Sequence, residues 1–533
     1  MAIALFVLVA TLVLAVIVTA NWYVWRRLFR DTTRGPGLTR RAGAVLIAGG
    51  WALAITALVA ERSGAPFWLQ QLLAWPGFLW LALSIYLLLG VVAGEVVRPL
   101  LRRFLERRAR PSTGSAPSNP HPEAPDTAAD PEGEGGAGAH GAAPASTTAA
   151  APRGNGGAGA SAAATAASAR ADGGGAASAP ASAVGPQGNG GAGAPAGAAA
   201  ATVAAASQAG RGDAKAAGPR GDGGGAAAAS LAAAPSPDAP HPQTGPTPEG
   251  SPQPLGTPAP SRRLFVSRVV AGAAAAAAVG TVGYGTYGVL RGPKVKRVTV
   301  PLAKLPRAAH GYRIAVVSDV HLGPVLGRGF AQKVVDTINA TQPDLIAVVG
   351  DLVDGSVKDL GPAAAPLAQL KARHGSYFVT GNHEYFSGAE QWVEEVRRLG
   401  LTPLENARRE LPHFDLAGVN DVTGEDEGQG PDYARALGDR DTARACVLLA
   451  HQPVQIHDAV DYGVDLQLSG HTHGGQLWPG NLIAAAANPT VAGLERYGQT
   501  QLYVSRGAGA WGPPTRVGAP SDITLIELAS KQA

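Results

Sequence analysis

The sequence predicts an α/β domain in its last 240 or so residues, carried behind a set of membrane-spanning helices. Three observations predict this. After Val298, short β-branched apolar runs alternate with amphipathic helical stretches, the pattern of strands buried on both faces between covering helices. Before residue 111, long runs carry no charge. Between these two parts lies a stretch dominated by Ala, Gly, Pro and Ser, without Phe, Trp or Tyr.

The elements follow in chain order. Residues 2–20 are almost unbroken apolar sequence, long enough to cross a bilayer, and Trp22, Tyr23 and Trp25 follow as an interfacial aromatic cluster. No basic n-region precedes this run, so it reads as a span rather than a cleaved signal. Residues 42–60 and 72–97 are two further spans. Arg26, Arg27, Arg30, Arg34, Arg40 and Arg41 lie between the first and second. Arg98, Arg102, Arg103, Arg107, Arg108 and Arg110 follow the third, and only Arg62, beside Glu61, separates the second from the third. Basic loops stay cytoplasmic, so the N-terminus is expected outside.

Residues 111–260 cannot bury enough apolar surface to offset chain entropy and are expected to be a disordered cytoplasmic linker. The repeated Gly-Asn-Gly-Gly-Ala-Gly-Ala segments at Gly154 and Gly188 are low-complexity duplication. Ser261-Arg262-Arg263-Leu264-Phe265 then resembles a twin-arginine export signal, followed by apolar residues 269–290. As an export signal or as a plain fourth span, the segment takes the chain out of the cytoplasm. Arg291, Lys294, Lys296 and Arg297 lie beyond it, where the charge rule disfavours them. The expected division is 1–110 (three transmembrane helices), 111–260 (linker), 261–292 (twin-arginine-like segment and fourth helix) and 293–533 (catalytic domain).

Within that domain, strands are expected at 313–318, 345–349, 377–380, 446–450 and 465–469, with helices at 328–340 and 388–399. Each of the five strands runs into a polar block: Asp319-Val320-His321, Gly350-Asp351-Leu352-Val353-Asp354, Gly381-Asn382-His383-Glu384, His451, and Gly470-His471-Thr472-His473. In open α/β sheets, ligands collect outside the carboxyl ends of strands, so these blocks are expected to converge. Gly350, Gly381 and Gly470 stand where the chain must turn sharply. Alone, each block reads as a turn or a helix cap. In this order, each behind a strand, they point to one site. His310, His374, His413 and His457 fit no such block, although His457 is near enough to His451 in sequence to reach a rim. Asp415, Asn420 and Asp421 flank a further strand-like run and read as turn residues.

Together the five blocks resemble the calcineurin-like metallophosphoesterase family, over roughly residues 298–527. The opening Asp319-Val320-His321-Leu322-Gly323 and the ending His471-Thr472-His473-Gly474-Gly475-Gln476 are similar to its membrane-associated YkuE-like and YaeI-like branch. The resemblance implies a β-sandwich flanked by helices. It also implies a dinuclear site with Asp351 shared between Asp319, His321 and His473 on one ion and Asn382, His451 and His471 on the other. The mixed carboxylate, amide and imidazole set suits two divalent transition-metal ions, Mn, Fe or Zn, able to clamp a phosphoryl group. His383 is implied to protonate the leaving oxygen, with Asp354 orienting its ring and Glu384 behind them.

The net charge of +4 gives no nucleic-acid signal, and no nucleic-acid partner is expected. The single cysteine, Cys446, excludes an internal disulfide. The expected function is a membrane-anchored, metal-dependent phosphoesterase of the cell envelope. It would hydrolyse phosphomono- or phosphodiester bonds of lipid-linked or envelope substrates, face outward, and use the twin-arginine translocase during export. Leu326, Leu477, Trp478, Leu482 and Ile483 are candidates for an apolar rim around an acyl chain. The alternatives are a non-catalytic membrane assembly protein and a cytoplasm-facing nucleotide or protein phosphatase.

Overall fold

A computed structural model describes residues 2–108 and 261–532. The linker expected over 111–260 lies outside the described residues. Among the described residues, four helices are long and apolar enough to cross a membrane: α1 (Ala2–Trp25), α2 (Leu38–Arg62), α3 (Phe67–Arg108) and α4 (Arg262–Leu290). Ser261 caps α4 by accepting from the Leu264 backbone N–H, so Arg262 and Arg263 form its first turn. Small residues let these helices approach closely. A Cβ on Gly77 of α3 would meet the Leu53 carbonyl oxygen of α2 at 2.9 Å, and one on Gly90 would meet Ala274 of α4 at 3.2 Å.

The C-terminal domain begins directly after α4, with β1 (Lys294–Leu302). Three of the four basic residues that argued against an outward exit are therefore strand residues, and the fourth, Arg291, is the C-cap of α4. Lys294, Lys296 and Arg297 lie on β1, and Lys296 Nζ sits 5.5 Å from the Tyr503 ring centre. Eleven more strands follow: β2 (Tyr312–Val317), β3 (Leu345–Val349), β4 (Ser376–Val379), β5 (Thr402–Pro403), β6 (Ala407–Glu410), β7 (Asp415–Gly418), β8 (Cys446–Leu449), β9 (Leu466–Ser469), β10 (Gly493–Tyr497), β11 (Thr500–Val504) and β12 (Asp522–Ser530). They form two six-stranded sheets, β1-β12-β2-β3-β4-β5 and β10-β11-β9-β8-β7-β6.

The sheets face each other across one apolar layer. Ile314, Val316, Leu345 and Ala347 of the first sheet join Leu416, Val447, Leu449, Leu468 and Tyr503 of the second. On the outer face of the first sheet lie α5 (Arg328–Ala340), α6 (Val357–Ala364) and α8 (Ala389–Arg398), with the short α7 (Asn382–Ser387) following β4 and leading into α8. On the outer face of the second lie α9 (Tyr433–Leu437) and α10 (Ile456–Asp461). One helix, α11 (Gly480–Ala487), buries no residue in the protein. Strand β3 shows why sequence and fold agree. All five of its residues are buried, and its neighbours β2 and β4 both run parallel to it. A side chain of this kind contributes about 1.5–3 kcal/mol on full burial, and both faces of β3 are covered. Strands β2, β3 and β4 share one direction, as do β7, β8, β9 and β11, so the polar blocks that follow them gather along one edge of the sandwich.

Candidate metal centre

Five residues at the strand ends hold a backbone conformation that side chains rarely adopt. Asp319, His321, Asp351, His471 and His473 have φ of 52°, 47°, 53°, 73° and 53°. Each costs on the order of 1–3 kcal/mol unless the surroundings enforce it. Here the abrupt turns aim the side chains inward. Gly350 shares the left-handed geometry, with φ 72°. Gly381 and Gly470 do not, and their role is space. A Cβ on Gly381 would strike Asp351, and one on Gly470 would lie 2.5 Å from Asp319 Oδ2.

The turns bring every sequence-predicted residue to one place. Ligand atoms of Asp319, His321 and His473 lie within 4.8 Å of one another, as do those of Asp351, His451 and His471, and those of His321, Asp354 and His383. Asp319, His321, Asp351, His451 and His473 are buried, whereas Asn382, His383 and His471 are half-buried at the opening. Asp351 lies between the first two groups. Its Oδ1 accepts from the His383 backbone N–H at 2.9 Å, and its Oδ2 is 3.1 Å from His451 Nε2 and 3.8 Å from His321 Nε2. Asp319 accepts from the His471 backbone N–H through both oxygens, at 2.9 and 3.2 Å.

Two rings donate Nδ1–H to groups that can only accept, His321 to Asp354 Oδ1 and His451 to the Val349 carbonyl, each at 2.9 Å. His471 Nδ1 lies 2.9 Å from Asn382 Oδ1. Metal-ligating imidazoles are held in this way, leaving Nε2 for the ion. His451 Nε2 is buried without a hydrogen-bond partner while facing the Asp351 carboxylate, and that geometry requires positive charge between them. Burial disfavours charge on the His451 ring, but Asp351 and Asp319 outweigh it. A bound cation would meet the same demand. Considering protein groups alone, burial and then His451 push His471 down to about 3. Burial, His321 and Arg516 hold His473 well below its usual value. Both shifts disfavour the charged ring, in the direction that ligation needs. The residues fit a pair of divalent cations.

His383 sits to one side of this set. Its Nδ1 pairs with Asp354 Oδ1 at 2.7 Å, and its ring is flanked edge-on by Phe386 and Trp511, with centres 5.7 and 5.6 Å away. Burial opposes charge on the ring, yet Asp351 and Asp354 raise it to about 9. Glu384 lies behind the site, accepting from the backbone N–H groups of Gly381, Asp351 and Leu352 at 2.6, 3.0 and 2.8 Å.

Two contributors were not singled out in the sequence. Arg516 is buried, and its guanidinium donates to the carbonyls of Gly509, His473 and Ala519 and to His473 Nδ1 at 3.0 Å. The other comes from the membrane helices. Glu61 and Phe78 line a cavity of about 10 Å³ together with His321, Pro324, Asp354 and Ala510. Next to them, Arg62 packs over the Phe386 ring at 5.2 Å. A cavity of about 460 Å³ lies behind Thr380, lined by Tyr385, Glu390, Asn420, Asp432 and Arg435, but it contains none of the clustered ligand residues.

Other expectations resolve differently. Leu326 is buried in the core rather than on a rim, Leu477 is half-buried, and Trp478, Leu482 and Ile483 are exposed. His457 packs against Tyr497, with ring centres 6.4 Å apart, and His374 bonds the Tyr312 hydroxyl. Asp421 is fully buried, capping a short 3-10 turn and accepting from Gln452 Nε2 at 2.9 Å.

Comparison with known proteins agrees with this geometry. Residues 312–475 match the calcineurin-like phosphoesterase family. A transmembrane protein with metallophosphoesterase domain from Danio rerio is 39% identical over 264 residues, covering 47% of this chain and 60% of that protein. An uncharacterized metallophosphoesterase of Aquifex aeolicus is 35% identical over 243 residues, covering 45% of this chain and 92% of its own length. The uncharacterized metallophosphoesterase YkuE of Bacillus subtilis is 31% identical over 280 residues, covering 51% of this chain and 98% of its own length. The chain spans 60% of the length of the first of these relatives and nearly all of the last two, and it belongs to the calcineurin-like metallophosphoesterases.

Proposed function

We propose that this protein hydrolyses a phosphate ester carried on a lipid, at the outer face of the membrane that its helices span. The observation that carries the reading is the position of the site. Helix α2 ends at Arg62 and α3 starts at Phe67; Glu61 and Phe78 from these two helices line a small void with His321 and Asp354, and Arg62 packs over the Phe386 ring. A site built against the end of a membrane hairpin suits a phosphate at headgroup level better than a freely soluble nucleotide.

In this reading Asp319, His321 and His473 hold one cation, Asn382, His451 and His471 the other, and Asp351 is shared. The bound pair would neutralise the phosphoryl oxygens and lower the pKa of an attacking water. The protein's own part is positional. Asp354 fixes Nδ1 of His383 and leaves Nε2 free to give its proton to the leaving oxygen. Phe386 and Trp511 flank the ring and restrict its orientation. A purely binding role gives no reason for the paired His383 and Asp354 beside a full ligand set.

The substrate class is tested by comparing the same headgroup ester on a lipid and as a water-soluble fragment, with the full chain in detergent and Mn²⁺, Fe²⁺ or Zn²⁺ supplied. The lipid form should show kcat/KM higher by about tenfold or more, as several buried methylenes allow. Equal kcat/KM for the two forms would remove the lipid from the assignment and leave a phosphoesterase.

The sidedness is also a proposal, supported by charge and by packing. Arg27 and Arg98 both pair with Glu95, and Arg268 donates to the Thr32 carbonyl, so the arginine-rich segments gather at one end of the bundle. Val325 of the catalytic domain packs with Ala57, Ala74 and Phe78 toward the other end. Basic ends stay cytoplasmic, which puts the catalytic domain outside and the 111–260 segment inside. A reporter that folds before export and works only outside the cytoplasm should be active after Ala533 and silent near Ala200. Exchanging Arg262 and Arg263 for Lys should abolish the C-terminal signal if the twin-arginine translocase carries the domain. Unchanged export would favour a plain fourth span, and a silent C-terminal fusion would turn the enzyme to the cytoplasm.

A further inference from the structure

We infer that the segment from Leu477 to Leu494, with helix α11 at its centre, is embedded in the lipid leaflet as a membrane-contacting surface of the catalytic domain itself. The inference rests on the reading that α1–α4 cross a bilayer.

The packing supplies the first observation. Leu477 and Val517 of the catalytic domain pack into the cluster formed by Ile47, Ala82, Tyr86 and Val282 of the membrane helices. Tyr86 is not at a helix end. It lies about 21 Å from Leu72 along α3, at about 1.5 Å per residue, against a hydrocarbon core about 30 Å thick. Whatever touches Tyr86 lies within the depth of the bilayer.

The second observation is composition. No residue from Leu477 to Leu494 carries a charge. Helix α11 buries nothing against the protein, and Leu482 and Ile483 are each 67% exposed, with Trp478 at 54%. Leucine and isoleucine this exposed in water, side by side and beside a tryptophan, form an uncovered apolar patch. The patch continues from the membrane helices, so the occupant argued for is lipid.

The third observation is backbone satisfaction. Irregular backbone is tolerated in lipid only where its polar groups find partners in the protein. The Trp478 carbonyl accepts from the Tyr86 hydroxyl at 3.0 Å, and the Trp478 N–H donates to the Val517 carbonyl at 2.9 Å. Both backbone polar groups of Trp478, at the entrance to α11, thus find partners inside the protein. Because the segment begins just after His473-Gly474-Gly475-Gln476, its depth sets the height of the metal-ligand block above the leaflet.

Cysteine accessibility tests this without reference to activity. The only cysteine, Cys446, is buried, so the wild-type chain serves as a nearly silent background. Ile483→Cys, Leu53→Cys on α2 and Gln499→Cys at the surface are labelled with a charged maleimide in sheared membranes open on both sides, then again after detergent. Position 483 should react at least about tenfold more slowly than 499 in membranes, as position 53 should, and both should approach 499 once detergent frees them. Fast labelling at 483 with protection at 53 would overturn the inference while leaving the spans intact. Fast labelling at both would remove the spans and the inference together. Protection at 483 that persists in detergent would mean that protein covers the helix, a second copy being the first candidate, and would also overturn it.

Discussion

Changing Asp351 to Asn is expected to empty both metal positions together and to lower kcat/KM by about 10³-fold or more, since groups that act as one unit fail as one. The expectation comes from geometry. Asp351 Oδ2 faces His451 Nε2 at 3.1 Å and His321 Nε2 at 3.8 Å, one ring from each ligand group. An amide at this point keeps the shape and removes the charge that would hold two mutually repelling cations side by side. Metal content of the purified full chain, measured by mass spectrometry beside its circular dichroism, checks the result. A folded variant with the wild-type metal complement and rate would sink the shared-ligand assignment.

Changing His383 to Ala should do the opposite to the metals and nearly as much to the rate. The ring bonds Asp354 and touches Phe386 and Trp511, so its loss should leave metal content near that of the wild type. Turnover of esters with poor leaving groups should fall about 10²–10⁴-fold, the range of general acid catalysis. An aryl phosphate, whose leaving oxygen needs little protonation, should lose far less. Equal losses on the two esters would argue against proton donation and for a structural part.

The sequence carried the catalytic core clearly for a physical reason. β3 is Leu345-Ile346-Ala347-Val348-Val349 closing on Gly350-Asp351, and its observed bounds are those read from the pattern. A strand covered on both faces must be apolar throughout, and its end is marked where polar ligands begin. A one-sided apolar stripe at helical spacing, Phe330, Ala331, Val334, Val335 and Ile338, located α5 at its observed limits, Arg328–Ala340.

Edge elements obey no such rule. β1 mixes lysine and arginine with valine because one face is open, so its charges read as the flank of a membrane span. β6, Ala407-Arg408-Arg409-Glu410, carries no apolar period at all. Arg516 stands 43 residues beyond His473, in a Gly- and Pro-rich loop with no spacing that ties it to the site. Glu61 and Arg62 looked like a lone charge pair in a short turn. Only the folded chain shows them beside Asp354 and Phe386. Local pattern reports what a residue's own element buries, and these residues act through elements distant in sequence.

The close fit of Gly285 in α4 bears on how such a protein can evolve. A Cβ there would come within 2.7 Å of the Arg516 carbonyl oxygen, and the neighbouring Thr286 hydroxyl bonds that of Thr515 at 2.7 Å. Arg516 in turn grips His473. The last turns of α4 are thus fitted to the loop that steadies the His473 ring. Helix and loop share one surface, so a lineage that enlarges position 285 or removes the Thr286 hydroxyl should carry matching changes around Thr515.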